Sequence, residues 1–312
     1  MSKILITGGA GFIGFHLQQQ LKSKHEVKCI DSLRSEKKAS IHRASFMQSV
    51  YRLDCSDDFS STLVFQPDII IHLAAETGVS DSEIYPYKYI KTNIDATFNV
   101  LEQARKMGVK YFIYASSSSV YEPNQQIMAE TSPTDFQLSF YGTTKKMMEQ
   151  MVSNYCKQFG MTAIGLRFFT VYGSYTRPDM AGYKFMKGIQ YGTPIKQYNQ
   201  GEVLRDFTHV SDVVHSIELL LTKIASEPLG FHRIFNIGNS SPVTVKKYIQ
   251  LIAQELNKEP VINDFPLPKN ELQATYSDST SLELYTGYKP SVSIEVGVKE
   301  MVDWFKTGAY EK

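Results

Sequence analysis

Short runs rich in β-branched and aromatic residues alternate with segments of helical periodicity through the first half of the chain. Apolar strands joined by helices are typical of a parallel sheet that is covered on both faces. The predicted strands are 3–7, 26–31, 49–54, 68–74, 110–117 and 162–169. The predicted helices between them are 12–24, 57–65, 93–107 and 142–159. We therefore predict an α/β fold with a doubly wound parallel sheet, which binds its ligands beyond the carboxyl ends of the strands.

The first predicted strand runs into a glycine turn, "ITGGAGFIG", with glycines at Gly8, Gly11 and Gly14. Glycines permit a tight turn and a close approach to a pyrophosphate, and the following helix supplies N–H groups and positive potential. Asp31 ends the next predicted strand, where its carboxylate can accept both ribose hydroxyls of an adenosine and repel a 2′-phosphate. The pattern therefore predicts a Rossmann-type domain that binds NAD in preference to NADP.

Two neighbouring side chains bear on this cofactor site. Arg34 follows Asp31 closely in the sequence and moderates the preference against a 2′-phosphate. Asp54 ends the third predicted strand, where its carboxylate could meet the adenine edge. The alternative for Asp54 is a simple turn residue.

The strand–helix rhythm breaks after Thr170. Later elements are a helix at 181–190, the motif "RDFTHVSDVV" at 205–214, a strand at 233–239, and helices at 244–256 and 293–306. We interpret 1–169 with the returning segment 206–239 as the NAD-binding domain. We interpret 170–205 and 240–312 as a smaller α/β substrate-binding domain. The two are expected to pack closely around a shared cleft.

Charge and cysteine content argue against several classes of protein. The formal net charge is +1 without a Lys/Arg cluster, which argues against nucleic-acid binding. No apolar run approaches membrane-spanning length, and the N-terminus resembles a strand more than a signal peptide. Cys29, Cys55 and Cys156 are few and scattered, and no metal-ligand spacing occurs. We expect reduced thiols, a cytoplasmic location, no membrane insertion and no metal.

A candidate acid–base pair stands at the start of the predicted helix at 142–159. Tyr141 and Lys145 are four residues apart and share a helical face. A phenol with a pKa of about 10 is a poor base at neutral pH, but a nearby ammonium and an oxidised nicotinamide favour its ionised form. A hydroxyl from the serine-rich strand end "SSSSVY" (116–121) could share the reacting proton. The alternative is that both are ordinary surface residues.

Motifs along nearly the whole chain resemble the extended short-chain dehydrogenases/reductases of the nucleotide-sugar epimerase group. The motifs are "TGGAGFIG" (7–14), "HLAA" (72–75), "YASSSSVY" (114–121), "FYGTTKK" (140–146), "RFFTVYG" (167–173), "RDFTHVSD" (205–212), "FNIGN" (235–239) and "GYKP" (287–290). The resemblance implies a Rossmann-fold isomerase with bound NAD and a UDP-sugar substrate, active in polysaccharide biosynthesis. It also implies a homodimer, for which the helices at 93–107 and 142–159 are candidate surfaces.

The resemblance also implies a role for each matching residue. Tyr141 would be the catalytic base, Lys145 would bind the nicotinamide ribose and lower the pKa of Tyr141, and Ser117 would share the proton. Ser118 and Ser119 would lie beside the sugar. The implied cofactor-binding residues are Gly8, Gly11, Phe12, Ile13, Asp31, Asp54, Leu73, Ala74, Ala75 and Asn93, together with Tyr141 and Lys145.

Further positions are implied for the uridine diphosphate. Arg205 would contact the phosphates, and Gln197 and Tyr198 would border the uracil. Glu271, which stands where the family usually has Asp, would accept a ribose hydroxyl. The alternative for Gln197 and Glu271 is an ordinary surface position.

The stretch "RFFTVYGSYTRPDM" (167–180) resembles the UDP-glucuronate 4-epimerases, with Thr170 where most sugar-nucleotide epimerases have Asn. The resemblance implies that Thr170 and Arg177 hold the C5 carboxylate of a hexuronate. A guanidinium can donate two parallel bonds to a carboxylate, and a hydroxyl supplies a third donor. A neutral CH2OH group would leave Arg177 poorly paired. The alternative is that Arg177 merely pairs with Asp179 on a loop.

The predicted reaction is NAD-dependent 4-epimerisation of UDP-glucuronate to UDP-galacturonate through a 4-keto intermediate. Three alternatives share the fold: a UDP-glucose 4-epimerase, a UDP-N-acetylhexosamine or hexosaminuronate 4-epimerase, and a UDP-glucuronate decarboxylase. A non-catalytic NAD-binding regulator is an alternative of another class, which the intact Tyr141–Lys145 pair disfavours. Ser80 and "PKNE" (268–271) depart from the family pattern and leave the exact sugar open.

Overall fold

The computed structural model of the chain describes residues 1–33, 50–123 and 125–308, so the expectation for Arg34 lies outside the described residues. The strands are β1 Lys3–Thr7, β2 Glu26–Asp31, β3 Val50–Arg52, β4 Ile69–His72, β5 Tyr111–Ser117, β6 Thr162–Phe168, β7 Thr170–Tyr172, β8 Ile195–Tyr198, β9 Leu204–Arg205, β10 Phe207–His209, β11 His232–Ile237, β12 Val243–Thr244 and β13 Ile262–Phe265. The helices are α1 Phe12–Leu21, α2 Val79–Ile84, α3 Pro86–Tyr89, α4 Ala96–Lys106, α5 Phe140–Phe159, α6 Ala181–Tyr191, α7 Val210–Ile224, α8 Val245–Leu256, α9 Thr280–Thr286 and α10 Ile294–Lys306.

A seven-stranded sheet forms the centre of the molecule, in the order β3-β2-β1-β4-β5-β6-β11. Every neighbouring pair in it is parallel. Strand β1 lies between β2 and β4, with Thr7 in register with Ile30 on one side and His72 on the other. The predicted doubly wound α/β fold is confirmed, and its topological switch point lies beside the glycine turn after β1.

Alternate residues of β1 enter different hydrophobic clusters, because successive strand side chains point to opposite faces. Ile4 and Ile6 pack in a cluster that includes Ile217 of α7. Leu5 packs in the other cluster, with Val100 of α4. Both faces of the sheet are therefore buried, as the uninterrupted apolar strands predicted.

The predicted helix at 57–65 is wrong, because turns occupy this segment. The Asp58 carboxylate accepts hydrogen bonds from the backbone N–H of Ser60 at 3.1 Å and from its hydroxyl at 2.7 Å. Gln103 of α4 accepts a second bond from the Ser60 N–H at 2.8 Å and donates to the Asp57 carbonyl at 2.8 Å. Short polar side chains compete in this way with helical hydrogen bonds.

Helix α7 was not predicted, although its sequence carries the required signal. Its apolar residues at 210, 213, 214, 217, 220, 221 and 224 recur at helical spacing, and all are buried. The helix packs against α1 on one face of the sheet. The motif "RDFTHVSDVV" therefore continues from β10, which pairs with β7 in a separate two-stranded sheet, into a helix of the main α/β layer.

A third hydrophobic cluster lies outside the sheet and joins α6, α8 and α10. The rings of Phe207 and Tyr248 stack within it, with centroids 4.3 Å apart. Tyr172 meets both rings edge to face. A separate core of this kind is what the predicted smaller domain would need, and the division into two domains remains a prediction.

In the described parts of the chain, no group of His, Cys, Asp and Glu is arranged to hold a metal ion. No helix within those parts has the length and apolar character needed to cross a membrane.

Candidate active site

The glycine turn after β1 lies against the end of β4. Gly8 has φ +68, and a Cβ atom at this position would lie 2.7 Å from the backbone nitrogen of Ala74. Only glycine combines this left-handed conformation with such a close approach. The Thr7 hydroxyl reinforces the junction through its bonds to His72 Nδ1 at 2.7 Å and to the Ala74 N–H at 3.3 Å.

The turn leads directly into α1, with Gly11 as N-cap. Gly11 has no side chain to cover the first-turn N–H groups, which include those of Phe12 and Ile13. A helix start of this kind suits an anionic diphosphate. Leu73, Ala74 and Ala75 follow β4, and the first two lie against the turn. Contact of these residues with a cofactor remains a prediction.

The two acidic candidates for the cofactor site differ in their surroundings. Asp31 accepts hydrogen bonds from the N–H groups of Ala10 at 3.1 Å and Leu33 at 2.9 Å, so its carboxylate braces the glycine turn. Asp54 accepts from the N–H and hydroxyl of Ser56 at 2.9 and 2.7 Å, which makes it a turn residue. Contact with an adenosine remains a prediction for both.

Three side chains position the first turn of α5, which carries Tyr141. Ser82 accepts a hydrogen bond from the Tyr141 N–H at 3.0 Å, and Glu83 accepts one from the Phe140 N–H at 2.9 Å. Ser139 caps the helix by accepting from the Gly142 N–H at 3.1 Å. Sequence reasoning missed Ser82 and Glu83, because both lie on α2, remote in sequence from the helix that they cap.

Gly142 explains how this helix start reaches the serine-rich turn. A Cβ atom at this position would lie 2.2 Å from the carbonyl oxygen of Ser119. The turn itself, Ser118–Val120, is capped by Ser117, whose hydroxyl accepts from the Ser119 N–H at 3.1 Å. Close backbone packing thus brings the Tyr141 end of α5 against Ser117, Ser118 and Ser119.

The structure brings together the proposed acid–base group. Lys145 is 1% exposed, and its Nζ donates to the Ala115 carbonyl at 3.0 Å and lies 5.9 Å from the Tyr141 ring centroid. Burial raises the pKa of Tyr141, while a hydrogen bond with Ser117 and the charge of Arg177 lower it. Burial also lowers the pKa of Lys145 to about 7. Burial therefore opposes the charged form of both groups in the chain without cofactor.

Asn93 is fully buried in the π-helical turn Ile90–Asp95. Its amide accepts from the Glu76 N–H at 2.8 Å and donates to the Glu76 carbonyl at 3.1 Å. It also donates to the Thr144 hydroxyl at 3.0 Å. Asn93 therefore joins the segment after β4 to α5, and any contact with a cofactor remains a prediction.

The predicted carboxylate clamp lies at the end of β6. Thr170 begins β7, and its N–H donates to the Asp206 carbonyl at 3.0 Å. Arg177 donates from Nε and one terminal nitrogen to the two carboxylate oxygens of Asp179, at 3.1 and 3.2 Å. The loop pairing considered from the sequence is therefore present. The charge of Arg177 also contributes to lowering the pKa of Tyr141, against the larger effect of burial.

The candidates for the uridine diphosphate fall into two groups. Arg205 donates to Glu271 at 3.0 Å and to the Leu272 carbonyl at 2.8 Å, so two predicted substrate residues are direct partners. Gln197 and Tyr198 lie on β8, which pairs with β13. The Gln197 Oε1 is buried and has no hydrogen-bond partner among the described residues, which suits an acceptor for a ligand N–H.

Sequence reasoning missed Asp206, a fully buried carboxylate beside Arg205. It accepts from the backbone of Asn239 at 3.0 Å and of Ser240 at 3.1 Å, and from the N–H and hydroxyl of Ser277 at 2.9 and 2.6 Å. These bonds join three stretches of chain that are remote in sequence: Asp206 itself, 239–240 and Ser277. The only sequence signal was an acidic residue within the strand "RDFTH".

Comparison with known proteins identifies the family. The model of the NAD dependent epimerase/dehydratase family matches residues 4–238. The chain belongs to this family. The predicted family and its NAD dependence are thereby confirmed.

Three relatives of this epimerase/dehydratase chain span nearly its full length. "Uncharacterized protein MJ1055" of Methanocaldococcus jannaschii is 41% identical, over 97% of this chain and 95% of that protein. "Probable UDP-glucuronate 4-epimerase" of Rhizobium meliloti is 33% identical, over 97% and 96% respectively. The crystal structure of UDP-glucuronic acid 4-epimerase from Bacillus cereus, in complex with UDP-glucuronic acid and NAD, superposes with a TM-score of 0.90. It is 29% identical and the match covers 98% of this chain and 99% of that one.

Proposed function

We propose that this epimerase/dehydratase family member interconverts UDP-glucuronate and UDP-galacturonate by NAD-dependent epimerisation at C4. The observation that carries the proposal is the grouping of Tyr141, Lys145 and Ser117 where the end of β5 meets the start of α5, with the charge of Arg177 acting on Tyr141. The first three supply acid–base chemistry on a sugar hydroxyl. Arg177 supplies the cation that a hexuronate requires and a neutral hexose does not.

Tyr141 is the residue that we assign to proton transfer. Its phenol oxygen takes the proton of the sugar C4 hydroxyl and later returns it to the C4 oxygen. Ser117 shares that proton through its hydrogen bond with the phenol. The 4-keto sugar would turn about its bond to the diphosphate and present its opposite face, while bound NAD would supply both the two-electron oxidation of C4 and its reversal.

The chain's own residues fit a dinucleotide. The cradle at Gly8, closed to any side chain by Ala74, and the uncovered start of α1 suit its diphosphate. Asp31 would hold the adenosine ribose, and Lys145 the nicotinamide ribose. When bound, NAD supplies the electron acceptor for sugar C4 and, in its oxidised form, a positive charge. Tyr141, Ser117 and Lys145 handle the proton; Ser117 and Lys145 are buried, and Tyr141 is half-buried.

Thr170 and Arg177 would retain the carboxylate during this chemistry. A hexuronate oxidised at C4 is a β-keto acid, which loses CO2 when the breaking C–C bond aligns with the carbonyl π system. Two parallel bonds from a guanidinium and one from a hydroxyl can hold the carboxylate out of that alignment. The pair would thus select the substrate and also protect the 4-keto intermediate.

We also infer a homodimer formed through α4 and α5. Phe98 on α4 is 52% exposed, and Met147 and Phe159 on α5 are 41% and 53% exposed. Exposed apolar side chains on neighbouring helices are typical of an interface. Light scattering at several concentrations tests this proposal, with a dimer mass expected for the unaltered chain and a lower mass after Phe98→Glu.

A reducing compartment such as the cytoplasm is our proposal for location. The three cysteines, Cys29, Cys55 and Cys156, are free and buried. Burial raises the pKa of each thiol to about 12. Thiols of this kind suit a protein that does not meet oxidising conditions.

The function is tested by incubating the purified holoprotein, without added NAD, with UDP-glucuronate, UDP-glucose and their N-acetyl counterparts. Sugar analysis of the products should show UDP-galacturonate from UDP-glucuronate as the fastest conversion. A pentose product would indicate a decarboxylase. Binding of NAD without conversion of any UDP-sugar would favour the non-catalytic regulator.

A further inference from the structure

Arg177 carries an internal carboxylate partner in the chain without substrate. Its fork meets both oxygens of Asp179 at 3.1 and 3.2 Å, and a terminal nitrogen lies 3.5 Å from the sulfur of Met180. Pro178 stands between the two charged residues and restricts the loop that joins them. This is the same two-bond arrangement that a guanidinium makes with the carboxylate of a ligand.

A second arginine–carboxylate pair in the same protein allows a comparison of bond lengths and side-chain exposure. Arg167 meets Glu149 at 2.8 and 2.9 Å, with side chains only 4% and 3% exposed. The side chains of Arg177 and Asp179 are 27% and 21% exposed, and their bonds are longer. Separating a buried pair is costly because it leaves a desolvated charge without a partner, whereas a longer, partly solvated pair costs little to open and can exchange its partner.

The charge of Arg177 also acts on two tyrosines of the site. It opposes the larger effect of burial on the pKa of Tyr141 and of Tyr89. The rings of these two tyrosines lie 6.3 Å apart. Asp179 therefore balances a cation at the edge of the catalytic centre, and does so on the loop that follows the strand end carrying Thr170.

We propose that Asp179 is an exchangeable counter-ion that occupies the Arg177 fork until a sugar carboxylate replaces it, and that it thereby reduces the discrimination between hexuronate and neutral hexose. This rests on the proposed function of the site. A hexuronate must displace Asp179 before it gains its two bonds. A neutral sugar leaves the Arg177–Asp179 pair closed, so that no unpaired guanidinium penalises it.

This arrangement predicts an unusual direction of change. Replacing Asp179 by Asn removes the competing charge and keeps the side-chain shape. UDP-glucuronate should then bind more tightly, by about two- to fivefold, since an exchangeable pair of this kind is weak. UDP-glucose should bind equally or more weakly, because Arg177 is left without its ionic partner. In turnover, KM for UDP-glucuronate should fall while kcat changes little.

The experiment measures the ratio of the two affinities by calorimetry. The holoprotein carries Tyr141→Phe throughout, so that bound sugars are not converted, and it is compared with and without Asp179→Asn. Glu271→Gln is the matched control, because it also removes a carboxylate from a part-buried arginine, Arg205. Since Arg205 is assigned to the nucleotide, the control should shift both affinities by the same factor. Asp179→Ala, checked for bound NAD and near-ultraviolet dichroism, gives a second measurement.

A rise in the UDP-glucuronate to UDP-glucose affinity ratio in both Asp179 variants, without a rise in the control, supports the proposal. An unchanged or lower ratio overturns it and makes Asp179 a residue that holds Arg177 in place. If the affinity ratio does not rise while the unaltered protein epimerises UDP-glucuronate, this inference fails and the proposed function stands. If the unaltered protein converts no UDP-sugar, the proposed function fails and the inference falls with it.

Discussion

The Nζ of Lys145 lies 5.9 Å from the centroid of the Tyr141 ring, and it donates its 3.0 Å hydrogen bond to the carbonyl of Ala115 at the end of β5. The two side chains thus lie on the same face of α5, and the carbonyl at the end of β5 holds the Lys145 amine in place. Both groups are held with burial working against their charged forms. A positively charged cofactor bound beside Tyr141 would therefore favour the ionised form of its phenol.

Tyr141→Phe should abolish epimerisation while leaving the fold and NAD content intact. The substitution removes only the oxygen to which we assign proton transfer, and general base catalysis is worth about 10²–10⁴ in rate. Turnover of UDP-glucuronate and absorbance of bound cofactor measure the two properties. Near-normal turnover would reject the assignment.

Lys145 should make the free energy of unfolding rise with pH. Its pKa is about 7 in the folded chain, whereas an unfolded lysine has a pKa of about 10.4. Between these values the unfolded chain binds a proton that the folded chain does not, so stability increases as pH rises. The increase is at most about 1.4 kcal/mol per pH unit.

Lys145→Met isolates this contribution, because other titrating groups are common to both proteins. Urea unfolding of NAD-free protein at about pH 7 and about pH 9 should show a smaller gain in the variant. An equal gain in both proteins would mean that the amine is charged in the folded chain at neutral pH.

Gly142→Ala should lower kcat more than it lowers affinity for UDP-glucuronate. The added methyl group would lie 2.2 Å from the Ser119 carbonyl oxygen and push the start of α5 away from the serine turn. Overpacking of this kind costs about 1–3 kcal/mol of stability. Thr143→Ala, one residue further along the same turn, is the control and should change kcat little. If Gly142→Ala leaves kcat unaltered, close packing at this point is not what positions Tyr141.

Arg177→Ala should release 4-keto-pentose from UDP-glucuronate and weaken the preference for this substrate over UDP-glucose. Without the two-bond contact the carboxylate can rotate into the alignment that expels CO2. Arg177→Lys keeps the charge but loses the planar guanidinium, so the amount of 4-keto-pentose released should lie between that of the unaltered protein and that of Arg177→Ala. Mass spectrometry of the products measures it. Unchanged leakage and unchanged preference in Arg177→Ala would remove Arg177 from both roles.

Much of the fold was predictable because its signals are local. The glycine turn, the apolar strands and helix α5 follow from residues that lie close together in the sequence, and each appears where expected. The predicted helix at 57–65 failed because Gln103, from a remote helix, bonds its backbone. Helix α7 was overlooked although its apolar spacing is regular.

The site shows the same division. Tyr141, Lys145 and Ser117 could be named from two short motifs at the ends of neighbouring elements. Asp206 could not be named, because its role depends on two remote backbone segments, 239–240 and the one at Ser277, that meet it only in the folded chain. The counter-ion of Arg177 lay two residues away in the sequence, but its partly exposed geometry required the structure.

Retention of hydrogen at C4 tests the central claim most directly. Holoprotein is incubated with UDP-glucuronate that carries deuterium at C4, without added NAD, and the product is examined by mass spectrometry and NMR. If C4 is oxidised and reduced within one closed site, UDP-galacturonate should form with the deuterium still on C4. Loss of deuterium to solvent, or a pentose as the only product, would contradict the account.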